Sequence, residues 1–154
     1  MPGAHALGYL VGLEFGQLTA ATLARLGAMR LTPWRMLLLE SVASAPDLPG
    51  LIVRGDDPLL RVVACTGSPG CPQGLQPTRA LARDLAAHVP KGHLLHVSGC
   101  AKGCAMPKSS AMTLVGQNAG FGLIPMGHAA DTPLRNGLMA AELMADPSIL
   151  MGRV

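Results

Sequence analysis

Four cysteines carry most of the chemistry this sequence offers, and they fall in two pairs. Five residues separate Cys65 from Cys71, and three separate Cys100 from Cys104. Four thiolates on two loops suit a tetrahedral metal or an iron–sulfur cluster. Zinc sites favour spacers of about two to four residues and paired knuckles that look alike. Here one spacer is longer and the pairs differ, which favours a [4Fe–4S] cluster with four cysteine ligands. Gly67, Gly70, Gly99 and Gly103 lie within or beside the pairs. Lacking Cβ atoms, they let the backbone approach cluster sulfurs and donate N–H bonds that tune its potential. The plainer alternative is four buried, reduced structural cysteines. Their concentration in two glycine-rich loops argues against it.

The surrounding elements must bring the two pairs together. Residues 61–64 read as a short buried strand that delivers Cys65, and 94–97 as a strand that delivers Cys100. Residues 66–77 are a Gly/Pro loop. A helix is expected over 77–88, with Leu81, Ala82, Leu85, Ala86 and Val89 on its apolar face. A parallel sheet would set both cysteine loops at one edge, where α/β proteins place ligands. Residues 111–115 and 122–124 read as a strand pair, and 134–144 as a terminal helix. Upstream, 5–13 reads as a glycine-softened strand and 17–28 as a helix. Residues 29–32 and 34–39 read as strands broken at Pro33. The resulting β-α-β-β set matches part of a ferredoxin-like layer. A Pro/Gly turn region over 44–50 and a short segment over 51–53 follow. The expected class is α+β, with a partial ferredoxin-like piece over 1–55 and an α/β piece over 56–154. The turn Asp56-Asp57-Pro58 opens the second piece.

Composition narrows the function classes. The chain has 154 residues, 49% apolar and 14% charged, with a net charge of +3. That excludes a disordered polyelectrolyte, a coiled coil and a strongly basic nucleic-acid binder. No stretch reaches the roughly 18 apolar residues of a membrane span. The start of the chain lacks a basic region and is interrupted by Gly3, His5, Gly8 and Gly12, unlike a signal peptide. A cytoplasmic protein with reduced thiols is the expectation. The aromatic side chains are only Tyr9, Phe15, Trp34 and Phe121.

Local words add a resemblance. The C-x5-C and C-x3-C pattern resembles the siroheme/[4Fe–4S] domain of the nitrite and sulfite reductase family. The run from Leu95 through His96, Gly99, Cys100, Lys102 and Cys104 to Ala105, with Thr113-Leu114-Val115-Gly116, is most similar to the precorrin-3B synthases. These are the oxygen-dependent members of that family, in cobalamin biosynthesis. Arg30 to Arg35, and the Asp56-Asp57-Pro58 turn before Arg61 to Cys65, carry the likeness from about Gly8 to Leu143.

The family is built from two related halves, and the resemblance implies that this chain corresponds to the C-terminal half alone. It would then work with the missing N-terminal half or a partner chain. The resemblance also implies that Cys65, Cys71, Cys100 and Cys104 bind a [4Fe–4S] cluster. In the reductases the cysteine matching Cys104 also bridges to siroheme iron. In the synthases the tetrapyrrole is the substrate: precorrin-3A is hydroxylated with O2 and closed to a γ-lactone, a mononuclear non-haem iron is implied, and an electron donor is needed. Met106 stands where a histidine is expected in the synthases. Two alternatives stay open: a siroheme nitrite or sulfite reductase fragment, and a non-catalytic iron–sulfur electron carrier or zinc-binding module.

Such tetrapyrroles are rich in carboxylates, which Arg and Lys bind. The basic candidates are Arg30, Arg35, Arg61, Arg79, Lys102 and Lys108, with Arg30, Arg35, Arg79 and Lys102 as the expected substrate-binding set. Lys102 lies inside the second cysteine loop, and a solvated lysine is its plain alternative. His96 reads as a satisfied core histidine, or one supporting a ligand, rather than a metal ligand. His5, His88, His93 and His128 read as surface or structural. Trp34 reads as core before it reads as a stacking surface, and the methionines read as packing.

Overall fold

The computed structural model describes residues 1–152. The last two positions of the expected second piece lie outside the described residues. The chain forms two compact units, Met1–Leu60 and Arg61–Val154.

The first unit is an antiparallel sheet of five strands: β1 (Gly3–His5), β2 (Gly8–Leu13), β3 (Met29–Leu31), β4 (Met36–Glu40) and β5 (Leu51–Ile52). Its order is β1-β2-β4-β3, and β5 pairs with β2. Tyr9 lies opposite Leu39 and Val11 opposite Leu37, so alternate residues of β2 and β4 share one face. Val11, Leu37 and Leu39 are the buried centre, packed by Leu18, Leu26, Met29 and Leu51.

Three expectations need correction here. The single strand over 5–13 is a hairpin of β1 and β2. At Gly8, where β2 begins, a Cβ would collide with the carbonyl of Leu39. The helix over 17–28 shrinks to α1 (Ala20–Leu23). Thr19 caps it by accepting from the Thr22 amide at 3.0 Å, but Thr22 is its sole buried residue. Past Leu23 the amides of Arg25 and Leu26 bond to the carbonyls three residues back, so the segment tightens out of the α-helix. Trp34 is not core: it is 68% exposed, in the turn between β3 and β4.

The second unit is a mixed sheet ordered β10-β9-β8-β7-β6. Its strands are β6 (Val62–Ala64), β7 (Leu95–Ser98), β8 (Ser110–Gly116), β9 (Phe121–Gly127) and β10 (Arg135–Leu138). β6, β7 and β8 run parallel, while β9 and β10 are antiparallel additions. β7 is buried along its whole length, as expected of a parallel strand covered on both faces. Helix α2 (Arg79–Leu85) continues as a 3-10 turn to His88 and crosses from β6 to β7. Leu81, Ala82, Leu85, Ala86 and Val89 are all buried, the apolar face read from the sequence.

The expected helix over 134–144 begins instead as β10, and α3 covers only Ala140–Ala145. Gly137 has φ +71, which breaks a right-handed helix, and Leu138 pairs with Phe121 and is buried. The helix starts after Met139, whose amide donates to Glu142 Oε2 at 2.7 Å. The methionines are mixed: Met112 is buried, whereas Met126 is 78% exposed.

Candidate metal centre

β6 and β7 are parallel and in register, with Ala64 opposite Val97. Whatever follows each strand therefore leaves the sheet at the same end. Cys65 follows β6, and its amide donates to the Val97 carbonyl at 3.3 Å. Gly99 and Cys100 follow β7.

The first loop then folds back on itself. The Cys71 amide donates to Gly67 O at 2.8 Å, and the Ser68 amide to Gln76 O at 3.0 Å. The Leu75 amide donates across to Gly99 O at 2.8 Å, which ties the two cysteine loops together. Thr78, just before α2, sends its hydroxyl to the Cys65 carbonyl at 2.6 Å and caps no helix amide.

The loops touch along glycines. A Cβ at Gly99 would lie 2.9 Å from the Cα of Gly67 and 3.5 Å from that of Gly74. A Cβ at Gly116, the last residue of β8, would lie 2.5 Å from the Gly99 carbonyl oxygen. These contacts form a seam running from the first loop through the second to β8. Side chains there would force the loops apart.

The result is a cavity of about 420 Å³ lined by Cys65, Cys71, Cys100 and Cys104 together. The cysteines are unpaired by disulfides; the first three are half-buried and Cys104 is exposed. The Gly99 amide donates to Cys65 Sγ at 3.1 Å. Among the described residues, no three His, Cys, Asp or Glu side chains converge on a point that would hold a single metal ion. All four thiols line one space. A cluster bound by one thiolate at each of four corners requires such a shared space.

Of the basic candidates, Lys102 lines the cavity. Arg79 donates from Nη2 to Thr66 Oγ1 at 3.3 Å, and Thr66 is also a lining residue. Arg61 donates to the Val89 carbonyl and so braces the end of the α2 segment. Lys108 is exposed. Arg30 and Arg35 belong to the first unit, where Arg30 Nε is paired with Glu40 Oε1.

His96 corrects an expectation. It is core, with no measurable exposure, but it is not satisfied: neither ring nitrogen has a hydrogen-bond partner. Burial lowers its pKa to about 4, so the ring is neutral. His5, His88, His93 and His128 are all exposed. Sequence reasoning missed Gly74, Gly116 and Thr78. Gly74 carried only a loop signal. Gly116 and Thr78 act through contacts with residues far away in sequence, which periodicity does not display.

The fold matches a solved structure, that of the Mycobacterium tuberculosis NirA protein, with a TM-score of 0.61. The match covers 94% of this chain and 37% of that one, at 20% identity. The likeness shows a shared fold, the α+β arrangement described above. No protein-family profile matches the chain. Sequence gives the nearer relation: the chain is a homologue of a precorrin-3B synthase from Sinorhizobium sp., at 38% identity over 86% of its own length. It spans about a third of that protein, 35% of its length.

Proposed function

We propose that this chain is the cluster-bearing part of a precorrin-3B synthase-like oxidoreductase. Cys65, Cys71, Cys100 and Cys104 hold a [4Fe–4S] cluster, which supplies one-electron chemistry when bound. The observation that carries this reading is the shared cavity lined by all four thiols. The Gly99 amide aimed at Cys65 Sγ supports it, because such donors stabilise thiolate charge. The chain's own share of the work is to hold the cluster, exclude side chains from the loop seam and present cations. Lys102 on the cavity wall, and Arg79 beside Thr66, are placed to receive carboxylates of a tetrapyrrole.

On this reading residues 1–55 are a ferredoxin-like half-domain and 56–154 the cluster domain. The whole reaction is the O2-dependent hydroxylation of precorrin-3A with lactone formation. It requires the remaining half of the enzyme, as a partner or in the same chain, and an electron donor. The first unit offers Arg30 and Arg35 as substrate-binding groups, and its exposed Trp34 offers a ring for stacking. A mononuclear non-haem iron finds no ligand set among the described residues, so no step is assigned to it. Among the described residues no helix is long and apolar enough to cross a membrane. Four free thiols suit the reducing cytoplasm.

The likeness in fold to NirA favours a second reading, a siroheme nitrite or sulfite reductase fragment. An anaerobic assay of iron, acid-labile sulfide and zinc tests the centre, and the visible spectrum separates the two readings. Iron and sulfide without a siroheme band support the synthase reading. A retained siroheme band supports the reductase. One zinc per chain without sulfide refutes both and leaves an interaction module.

A further inference from the structure

Among the described residues, His96 is a fully buried side chain with neither ring nitrogen hydrogen-bonded. On β7 it lies opposite Val63 and Thr113. The Thr113 hydroxyl is already engaged with Gly127 O and Ser110. A Cβ built at Gly103 would lie 3.7 Å from His96 Cε1. Cε1 is bonded to both ring nitrogens, so the polar end of the imidazole lies beneath the turn that carries Cys100 and Cys104. A neutral imidazole brings one donor and one acceptor. Leaving both unpaired in a core is unfavourable, and such groups in native proteins call for a functional reason.

We propose that His96 is a positioning residue for the cysteine centre: when the cluster is held, its ring N–H donates to the Cys100–Cys104 turn and fixes that turn's orientation. This rests on the cluster reading above. The cost of the unpartnered ring then falls on the empty chain, and the hydrogen bond acts in the loaded one. A leucine at 96 should therefore have opposite effects in the two states. It removes an unpartnered polar group from the empty fold but loosens the turn of the loaded one.

The test begins with wild-type protein, reconstituted anaerobically with iron and sulfide. A wild type that takes up no cluster removes the underlying reading and this proposal with it. Given a loaded wild type, His96→Leu should melt at or above the wild-type temperature when empty. When loaded, it should surrender iron to a chelator about tenfold faster, the scale of effect seen when a ligand's supporting hydrogen bond is lost. Its reduction potential should also move, and His96→Gln, which keeps an N–H, should restore both. Wild-type iron loss and potential in the leucine variant overturn the proposal. Imidazole ¹⁵N spectra of wild type serve if that variant does not fold. A slowly exchanging, hydrogen-bonded His96 N–H in the loaded form alone supports the proposal, and identical His96 signals in both forms refute it.

Discussion

The amide of Gly99 donates to Sγ of Cys65 at 3.1 Å, although the two residues stand 34 positions apart in the chain. Backbone from the second cysteine loop thus already touches a sulfur of the first. The two pairs form one centre, and its geometry depends on how closely the loops approach.

That approach is set by the glycine seam, and Gly116→Ala tests it from outside both loops. The new methyl group would meet Gly99 O at 2.5 Å. Overpacking of this kind costs about 1–3 kcal/mol. Urea unfolding should show that loss, and iron uptake should fall with it. Gly27→Ala is the control: nothing lies within 4 Å of the added carbon, and stability should stay within about 0.5 kcal/mol of wild type. Equal behaviour of the two variants would remove the seam from the account.

Thr78 joins α2 to the first cysteine through its 2.6 Å hydrogen bond to the Cys65 carbonyl. Thr78→Val keeps the shape and removes the donor. It should cost about 1 kcal/mol in chemical denaturation. An unchanged urea midpoint would mean the bond contributes nothing net.

Cys104 is the exposed member of the set, so its thiol contributes little to the empty fold. Cys104→Ser should leave the melting temperature of the empty protein nearly unchanged, and it should abolish cluster colour and the extra stability that loading confers. A brown, fully loaded serine variant would show that Cys104 is not a ligand.

His96 also predicts a pH dependence of the empty protein. Its pKa is lowered by burial from 6.5 to about 4. Between those values the unfolded chain binds the proton and the folded chain does not. Stability is therefore complete above about pH 6.5 and falls as the pH drops toward 4. The full drop is worth about 3 kcal/mol. Because acidic side chains also titrate there, the useful quantity is the difference between His96→Leu and wild type, measured by urea unfolding at several pH values. The variant should gain on wild type as pH falls, and parallel profiles would contradict this.

Much of the centre was legible because each cysteine pair follows a short apolar run. Parallel register of β6 and β7 then does the rest by placing Cys65 and Cys100 at one end of the sheet. The face of α2 was legible for the same reason, since five apolar residues recur at helical spacing. Residues 134–144 were not. Their apolar positions fit a helix, but the ladder to β9 and the left-handed Gly137 decide the first part. The helix over 17–28 is cut short because Thr19 caps it late and, past Leu23, the amides of Arg25 and Leu26 bond three residues back. The seam and the orphaned imidazole were out of reach, because each depends on distances between residues far apart in sequence.

The parallel pairing of β6 and β7 has a consequence for assembly. β8 and β9 close through the short turn 117–120, whereas β6 meets β7 only after the loop and α2 have crossed the sheet. Contacts between distant segments form late, because the entropy of closing the intervening chain must be overcome first. A nascent chain would therefore show an iron donor two separate thiol pairs before it shows a four-thiol socket. On the proposed cluster reading, iron delivered before the crossover is complete would find half a binding site, and the order of folding and metal delivery would set the yield of loaded protein.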